Sequence, residues 1–234
     1  MVVVRRASTC VAGSAGCDAL TSGANYYFQA SLCNPTVGNA ELASPAYANW
    51  YLLDTVTANL QLHQRTCVVS GCTCTSNPVT GVAPPFADIR RYLTHIYFVA
   101  NNSVGTDGVP TLKRAELTGN GYTIVPLVEG IENLKFEYGI DTTGDGMPEV
   151  YTPTPDTYTC AGPPACTPVS NWQNVTAVKA YVLARNTEPS LDYTDTKTYT
   201  LDSATTISAP GDSYRRHVFN TAVKLNNVAG RRGI

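Results

Sequence analysis

Residues 134–140 read LKFEYGI, and the order of these seven side chains limits what the chain can become. In an extended strand Leu134, Phe136, Tyr138 and Ile140 project to one side, with Lys135 and Glu137 on the other. A helix would scatter the same residues around its axis. Segments 94–102 (THIYFVANN), 175–185 (VTAVKAYVLAR), 196–203 (TKTYTLDS) and 215–228 (RRHVFNTAVKLNNV) are likewise rich in β-branched and aromatic residues and are bounded by Gly, Pro, Asn or Asp. The expected fold is mainly β, an antiparallel sheet. Residues 51–66 (YLLDTVTANLQLHQRT) fit an amphipathic helix or a hairpin turning at 55–59. Val56, Thr57 and the lack of helix caps favour the hairpin. LVEGIENL (127–134) suggests one helical turn.

Eight cysteines stand at positions 10, 17, 33, 67, 72, 74, 160 and 166, in sequence rich in Gly, Pro, Ser and Thr. An even number in such loops suits disulfides and an oxidising compartment, the periplasm or the cell exterior. Zinc is the competing use, but Cys67, Cys72 and Cys74 lack the paired two-residue spacers of a zinc ribbon. Cys160 and Cys166 enclose AGPPA, whose prolines stiffen the loop, and a bridge there contributes about 2.4 kcal/mol on the chain-entropy account. Cys67 with Cys72 or Cys74 is the next pair. The trio Cys10, Cys17 and Cys33 must then send one thiol to a distant partner. Residues 8–48 and 67–87 are expected as loops pinned by these bridges.

The chain of 234 residues is 43% hydrophobic, enough for a packed core without a ligand, and its net charge is −2. That charge supplies no cationic field, so no nucleic acid is expected as partner. The pairs Arg5-Arg6, Arg90-Arg91, Arg215-Arg216 and Arg231-Arg232 are scattered and are expected as solvated strand ends. No 18-residue apolar run occurs, and MVVVRRAS is too short for a signal peptide. Disulfide chemistry without an export signal leads to the expectation that an upstream segment has been removed.

Catalytic patterns are missing: there is no G-x-S-x-G elbow, P-loop or dinucleotide fingerprint. His63, His95 and His217 are the histidines on hand, and for His95 and His217 a strand position bonded to a neighbour is the expected role. Trp50 and Trp172 are expected in the core. No enzyme is expected.

Acidic residues gather in one place, GIDTTGDGMPEVY at 139–151. Counting from Asp141, oxygen-bearing side chains recur at Thr143 and Asp145, glycine stands sixth at Gly146 and Glu149 is ninth, the front half of a calcium loop. Position twelve is Thr152 rather than a bidentate Glu. A tight turn requires the glycines but not three acids. The expectation is a structural Ca²⁺ held by Asp141, Thr143, Asp145, the Met147 carbonyl and Glu149, with a dissociation constant on the order of 10⁻⁴ to 10⁻³ M. NNSVGTDGVP (101–110), with the single Asp107, is expected as an ordinary loop.

The ordered set IVPLVEGIENLKFEYGIDTTGDGMPEVY, NWQNVTAVKAYVLARN and YRRHVFNTAVKLNNVAGRR resembles the C-terminal half of PilW-type minor pilins of the type IV pilus. RRASTCVAGSAGCDAL and RRYLTHIYFVANN upstream also look PilW-like. The resemblance implies a leader cut by a prepilin peptidase, an N-terminal helix in the inner membrane and a periplasmic β-rich head, α+β when complete. This sequence departs from that pattern in lacking the leader and helix. Residues 1–234 are then one head domain, with a cysteine-rich region at 8–87 and a sheet region at 88–234. The implied role is non-enzymatic: pilus assembly and priming, and the fibre tip, on the periplasmic face of the inner membrane or in the extracellular pilus of a Gram-negative bacterium. Implied partners are other minor and major pilins, the inner membrane through the missing helix, and a pilus-tip adhesin. The alternative is a secreted or surface-exposed, adhesin-like binding module stabilised by calcium.

Overall fold

A computed structural model describes residues 1–31, 33, 50–64, 85–160 and 166–226. Extended segments dominate, as the alternation requires. Twelve strands are described: β1 Val2–Val11, β2 Tyr27–Ala30, β3 Tyr51–Asp54, β4 Ile89–Ala100, β5 Thr111–Thr118, β6 Gly121–Glu129, β7 Ile131–Ile140, β8 Val150–Thr152, β9 Val175–Arg185, β10 Tyr199–Thr200, β11 Thr206–Ile207 and β12 Arg216–Lys224. One sheet runs β3-β2-β4-β5-β6 with β1 also beside β4, a second runs β12-β9-β7-β8, and β10-β11 is a two-stranded ribbon. The chain forms two compact units, one of residues 1, 97–113 and 126–234, the other of 2–96 and 114–125.

In the first unit β9 is the axis. It pairs antiparallel with β12 without interruption from Arg216↔Arg185 to Lys224↔Ala177, and with β7 through two register shifts. Leu183 on β9 packs with Tyr199 of the ribbon and with Leu201 just after β10, and Tyr181, Ile207 and Val218 flank them. The polar side of β7 is also covered. Glu137 is buried and accepts hydrogen bonds from the Tyr181 hydroxyl (2.6 Å) and the Ser203 amide (3.0 Å). Burial alone would raise its pKa, but the Tyr181 and Ser203 bonds outweigh it and hold the carboxyl below its usual range. Tyr181 is correspondingly pushed up to about 12 by its bond to Glu137.

Arg216 is not a solvated strand end. Its side chain is 3% exposed and meets Asp195, which is 0% exposed, at 3.0 Å. The guanidinium donates as two forks, Nε and Nη2 to Glu132 (2.6 and 2.9 Å) and Nη1 and Nη2 to Asp212 (both 2.6 Å). Arg185 stacks on Tyr214 (3.8 Å) beside it, and Arg215 lies over Tyr193 (4.3 Å). The network fastens the excursion between β9 and β12 to the sheet, because Asp195 and Asp212 both belong to that excursion. The pairs at the other unit also differ from expectation: Arg90 donates to the carbonyls of Ser8 (3.2 Å) and Thr9, and Arg91 faces Asp18 (3.4 Å). Arg5 and Arg6 are exposed within β1, and Arg231-Arg232 lies outside the described residues.

The second unit is organised by a buried amide. Gln29, 0% exposed, donates to the carbonyls of Leu62 (3.1 Å) and Ala87 (2.8 Å) and accepts from the Leu62 amide (2.9 Å). Three segments are joined by one side chain. Tyr27 is buried beside it, its hydroxyl donating to Ala19 or Thr21 carbonyls and accepting from the Thr21 amide.

Several expectations are corrected. The described residues 51–64 form no hairpin: β3 pairs with β2, a 3₁₀ turn follows at Thr57–Asn59, and His63 bridges Phe86. β2 lies within the stretch expected as loop, where its inward Gln29 hides the alternation. LVEGIENL holds no helical turn, since β6 passes into β7 at Gly130. Gly130 has φ 79°, and a Cβ there would sit 2.4 Å from the Arg185 carbonyl oxygen. In TKTYTLDS only Tyr199–Thr200 is strand. The 101–110 segment is an ordinary loop, closed by Asp107 accepting amides of Ser103, Val104 and Val109.

Cys160–Cys166 is bridged, as the spacing suggests, and so is Cys10–Cys17. Cys33 is also disulfide-bonded, and the described residues include no free cysteine. Cys67, Cys72 and Cys74 lie outside the described residues.

The carboxylates around Arg216 set the acid limit of the first unit. The Arg216 fork holds Asp212 down at about 2; Asp195, despite a burial effect that would raise it, is also lowered, by Tyr199 and Arg216. A carboxyl whose folded pKa lies below the ordinary value of about 3.9 contributes stability above that value, and loses it as pH falls through the folded pKa. Melting temperature, measured from pH 5 downward, is expected to fall most steeply between about pH 4 and 2, and Asp212→Asn to flatten that decline.

Candidate functional site

The turn from β7 to β8 is built around Asp141, which is 0% exposed. The Asp141 amide donates to Asn174 (2.9 Å), and its carboxylate accepts amides of Gly144 (2.5 Å) and Gly146 (2.9 Å) on separate oxygens. Those amides point inward because Gly144 and Gly146 adopt φ 87° and 85°, a conformation costly for any other residue. From the other end Glu149 accepts the Thr142 amide (2.6 Å) and hydroxyl (3.1 Å) on one oxygen and the Thr143 hydroxyl (3.0 Å) on the other. The Thr142 amide is the main cause that holds the Glu149 carboxyl below its usual range. Asp145 accepts the Met147 amide at 2.8 Å.

The result is a cluster in which Asp141, Asp145 and Glu149 each offer one oxygen, all within 4.8 Å of one another. Asp141 is buried and the other two are exposed. Three carboxylates this close repel, and carboxylate oxygens retain lone pairs beyond those given to amides, so the donor set is one a hard cation could share. Of the remaining residues expected as ligands, Thr143 turns its hydroxyl to Glu149, while Met147 gives its amide to Asp145 and leaves its side chain exposed.

Behind the loop stands a short helix that the sequence reading missed, α1, Pro168–Gln173. Its signal was present: Thr167 accepts the Ser170 amide (3.1 Å), Ser170 Oγ accepts the Thr167 amide (2.8 Å), and Pro168 stands at the first helical position. The buried Asn171 donates to the carbonyls of Pro155 (2.7 Å) and Tyr158 (2.9 Å). Trp172 is 43% exposed rather than in the core, because its indole donates to Asp156 (2.8 Å) while its ring meets Tyr138 edge-on at 4.8 Å. Trp50 is half-buried, edge-on to Tyr51.

Each histidine is engaged locally. His63 is buried against Phe86 (5.1 Å between ring centres). His95 on β4 lies 3.7 Å from Glu116, and burial, then the charge of Arg114, lowers its pKa. His217 on β12 meets Phe219 edge-on at 4.5 Å. Among the described residues no helix is long and apolar enough to cross a membrane.

Antiparallel sheets, loops tied by disulfides and an acidic turn at a sheet end describe a mainly β protein. The family model for Type IV Pilus-assembly protein W, PilW, matches residues 96–227, more than half of the chain, and takes in β7, the acidic turn, α1, β9 and β12. The chain belongs to the PilW family, and its role lies in type IV pilus assembly. RRASTCVAGSAGCDAL falls outside the matched residues. No curated protein and no solved structure matches the chain.

Asp141 organises the turn whether or not an ion is present. Asp141→Ala would leave two inward amides without their acceptor, at a cost of about 1–3 kcal/mol. In chelator this variant should unfold at lower denaturant than the parent; an unchanged midpoint would contradict the arrangement.

Proposed function

We propose that this chain is the β-rich head of a minor pilin, which joins other minor and major pilins to prime the type IV pilus and stands at or near the fibre tip, working from the periplasmic face of the inner membrane. The observation that carries the reading is the family match over residues 96–227, which includes the whole β12-β9-β7-β8 sheet and its acidic turn. The role is a structural one without catalysis, and the engagement of each histidine with local packing supports it. Bridged cysteines support an oxidising compartment. Deletion of the gene in the source bacterium should remove most surface pili in electron micrographs, and the full-length gene should restore them. Wild-type pilus numbers in the deletion strain would refute the role.

We further propose that the turn holds a structural Ca²⁺ through Asp141, Asp145 and Glu149, with Thr143 and the Met147 carbonyl completing the set. Convergence of three carboxylates within 4.8 Å supports it. The ion would relieve their repulsion and fix the end of the β7-β8 hairpin, which is a stapling role. Ten-millimolar calcium should then raise the melting temperature over that in chelator, and Asp145→Ala should abolish the rise. Identical melting in chelator and calcium would exclude the ion.

A further inference from the structure

Every sheet leaves edges with unpaired amides and carbonyls, and such edges invite pairing unless something blocks them. Most edges here are guarded. β3 and β8 are short, with 4 and 3 residues. β6 carries Pro126 in its middle, which removes a donor from the row. β1 has the exposed Arg5 and Arg6 along its length and gives the Ser8 and Thr9 carbonyls to Arg90. β12 differs. It runs nine residues in unbroken register, its interior HVFNTAV contains no proline, Lys, Arg, Asp or Glu, and Phe219 and Val223 on one face are each 56% exposed. Among the described residues it pairs with β9 alone.

The direction of the free groups follows from one bond. The Leu225 amide donates to the Thr176 carbonyl (2.8 Å), so the alternation of an antiparallel ladder turns the amides of Val218, Asn220, Ala222 and Lys224 away from β9. On the opposite face from Phe219, a cavity of about 280 Å³ opens beside the strand end, lined by Met147, Pro148, Tyr151, Ala177, Ala222 and Lys224 among others. No acidic residue occurs between Ser213 and Asn226; Arg216 is neutralised by its own three carboxylates, and the exposed Arg215 and Lys224 stand at the two ends of the strand.

We infer that β12 is a docking edge for an extended segment of a different polypeptide, which adds a strand to the sheet. The segment would be apolar where it meets Phe219 and Val223, would place one apolar side chain in the cavity, and would carry carboxylates at its ends. A second copy of this chain does not fit: antiparallel self-pairing about Asn220 brings the exposed Lys224 of each copy to the exposed Arg215 end of the other, and like charges across strands oppose pairing. Nor does β6 of a second copy, whose edge Pro126 interrupts. The inference rests on the assembly role proposed above and names the surface and the kind of partner.

The test uses a labelled synthetic peptide as long as β12, alternating valine and threonine with a glutamate at each end, and a counterpart ending in lysines. Expected are saturable anisotropy changes with the glutamate peptide, about tenfold weaker binding of the lysine peptide, and slowed hydrogen exchange at the amides of Val218, Asn220, Ala222 and Lys224. Asn220→Pro should lose binding while its melting temperature stays near that of the parent, since that amide makes no bond to β9. Exchange in the unaltered chain decides the matter if this variant does not fold. Unchanged exchange with the peptide, equal affinity for both peptides, retained binding by a folded Asn220→Pro, or a dimer that protects these amides without peptide would each overturn the inference. Those results leave the gene-deletion phenotype untouched, so loss of the edge and loss of the assembly role are separable.

Discussion

The first unit depends on one guanidinium held where water is scarce. Arg216 is nearly buried, and an unpaired cation there would be strongly destabilising. Its forks to Glu132 and Asp212 and its contact with Asp195 compensate that charge with planar geometry that a lysine could not supply. The three carboxylates come from β7 and from the excursion between β9 and β12, so neutralising one charge also fixes that excursion over Leu183. The small core of Leu183, Tyr199 and Leu201 then closes beside it. Satisfying a charge and packing apolar surface become a single event.

The same logic, satisfaction before chemistry, describes the acidic turn. Asp141 takes two backbone amides and Glu149 ties Thr142 and Thr143, so the loop has a defined shape from its own bonds. Its two left-handed glycines are what allow the amides to face inward. A cation would act on a geometry already organised, consistent with stapling rather than switching. In the second unit Gln29 does comparable work with neutral groups, joining β2 to the segments at Leu62 and Ala87.

Much of this was legible beforehand, for identifiable reasons. β7 announces itself by the period-two alternation of LKFEYGI, and β9 by β-branched and aromatic residues bounded by turn formers. Cys160 and Cys166 announce themselves because a stiff five-residue spacer leaves them little alternative. The acidic turn is visible because its acids and glycines are local in sequence. Arg216 was misread because only Asp212 lies near it in sequence, while its other partners, Glu132 and Asp195, are 84 and 21 residues away with nothing local to mark them. Trp172 was misread for the same reason: aromatic size predicts burial, but the Asp156 partner and the Tyr138 ring decided its placement. β2 and α1 are too short for periodicity to register, although the Thr167-Pro168-Ser170 cap was readable.

By itself, the sequence determined that the long strands β7, β9 and β12 extend, that Cys160 joins Cys166 and where acids crowd, since each follows from side-chain pattern or short loop closure. Only the tertiary structure decided which polar groups go inside, which arginine is buried and which sheet edge stays unpaired among the described residues. Those outcomes depend on partners brought together from distant positions, and burial makes a polar group stable only where such partners meet it.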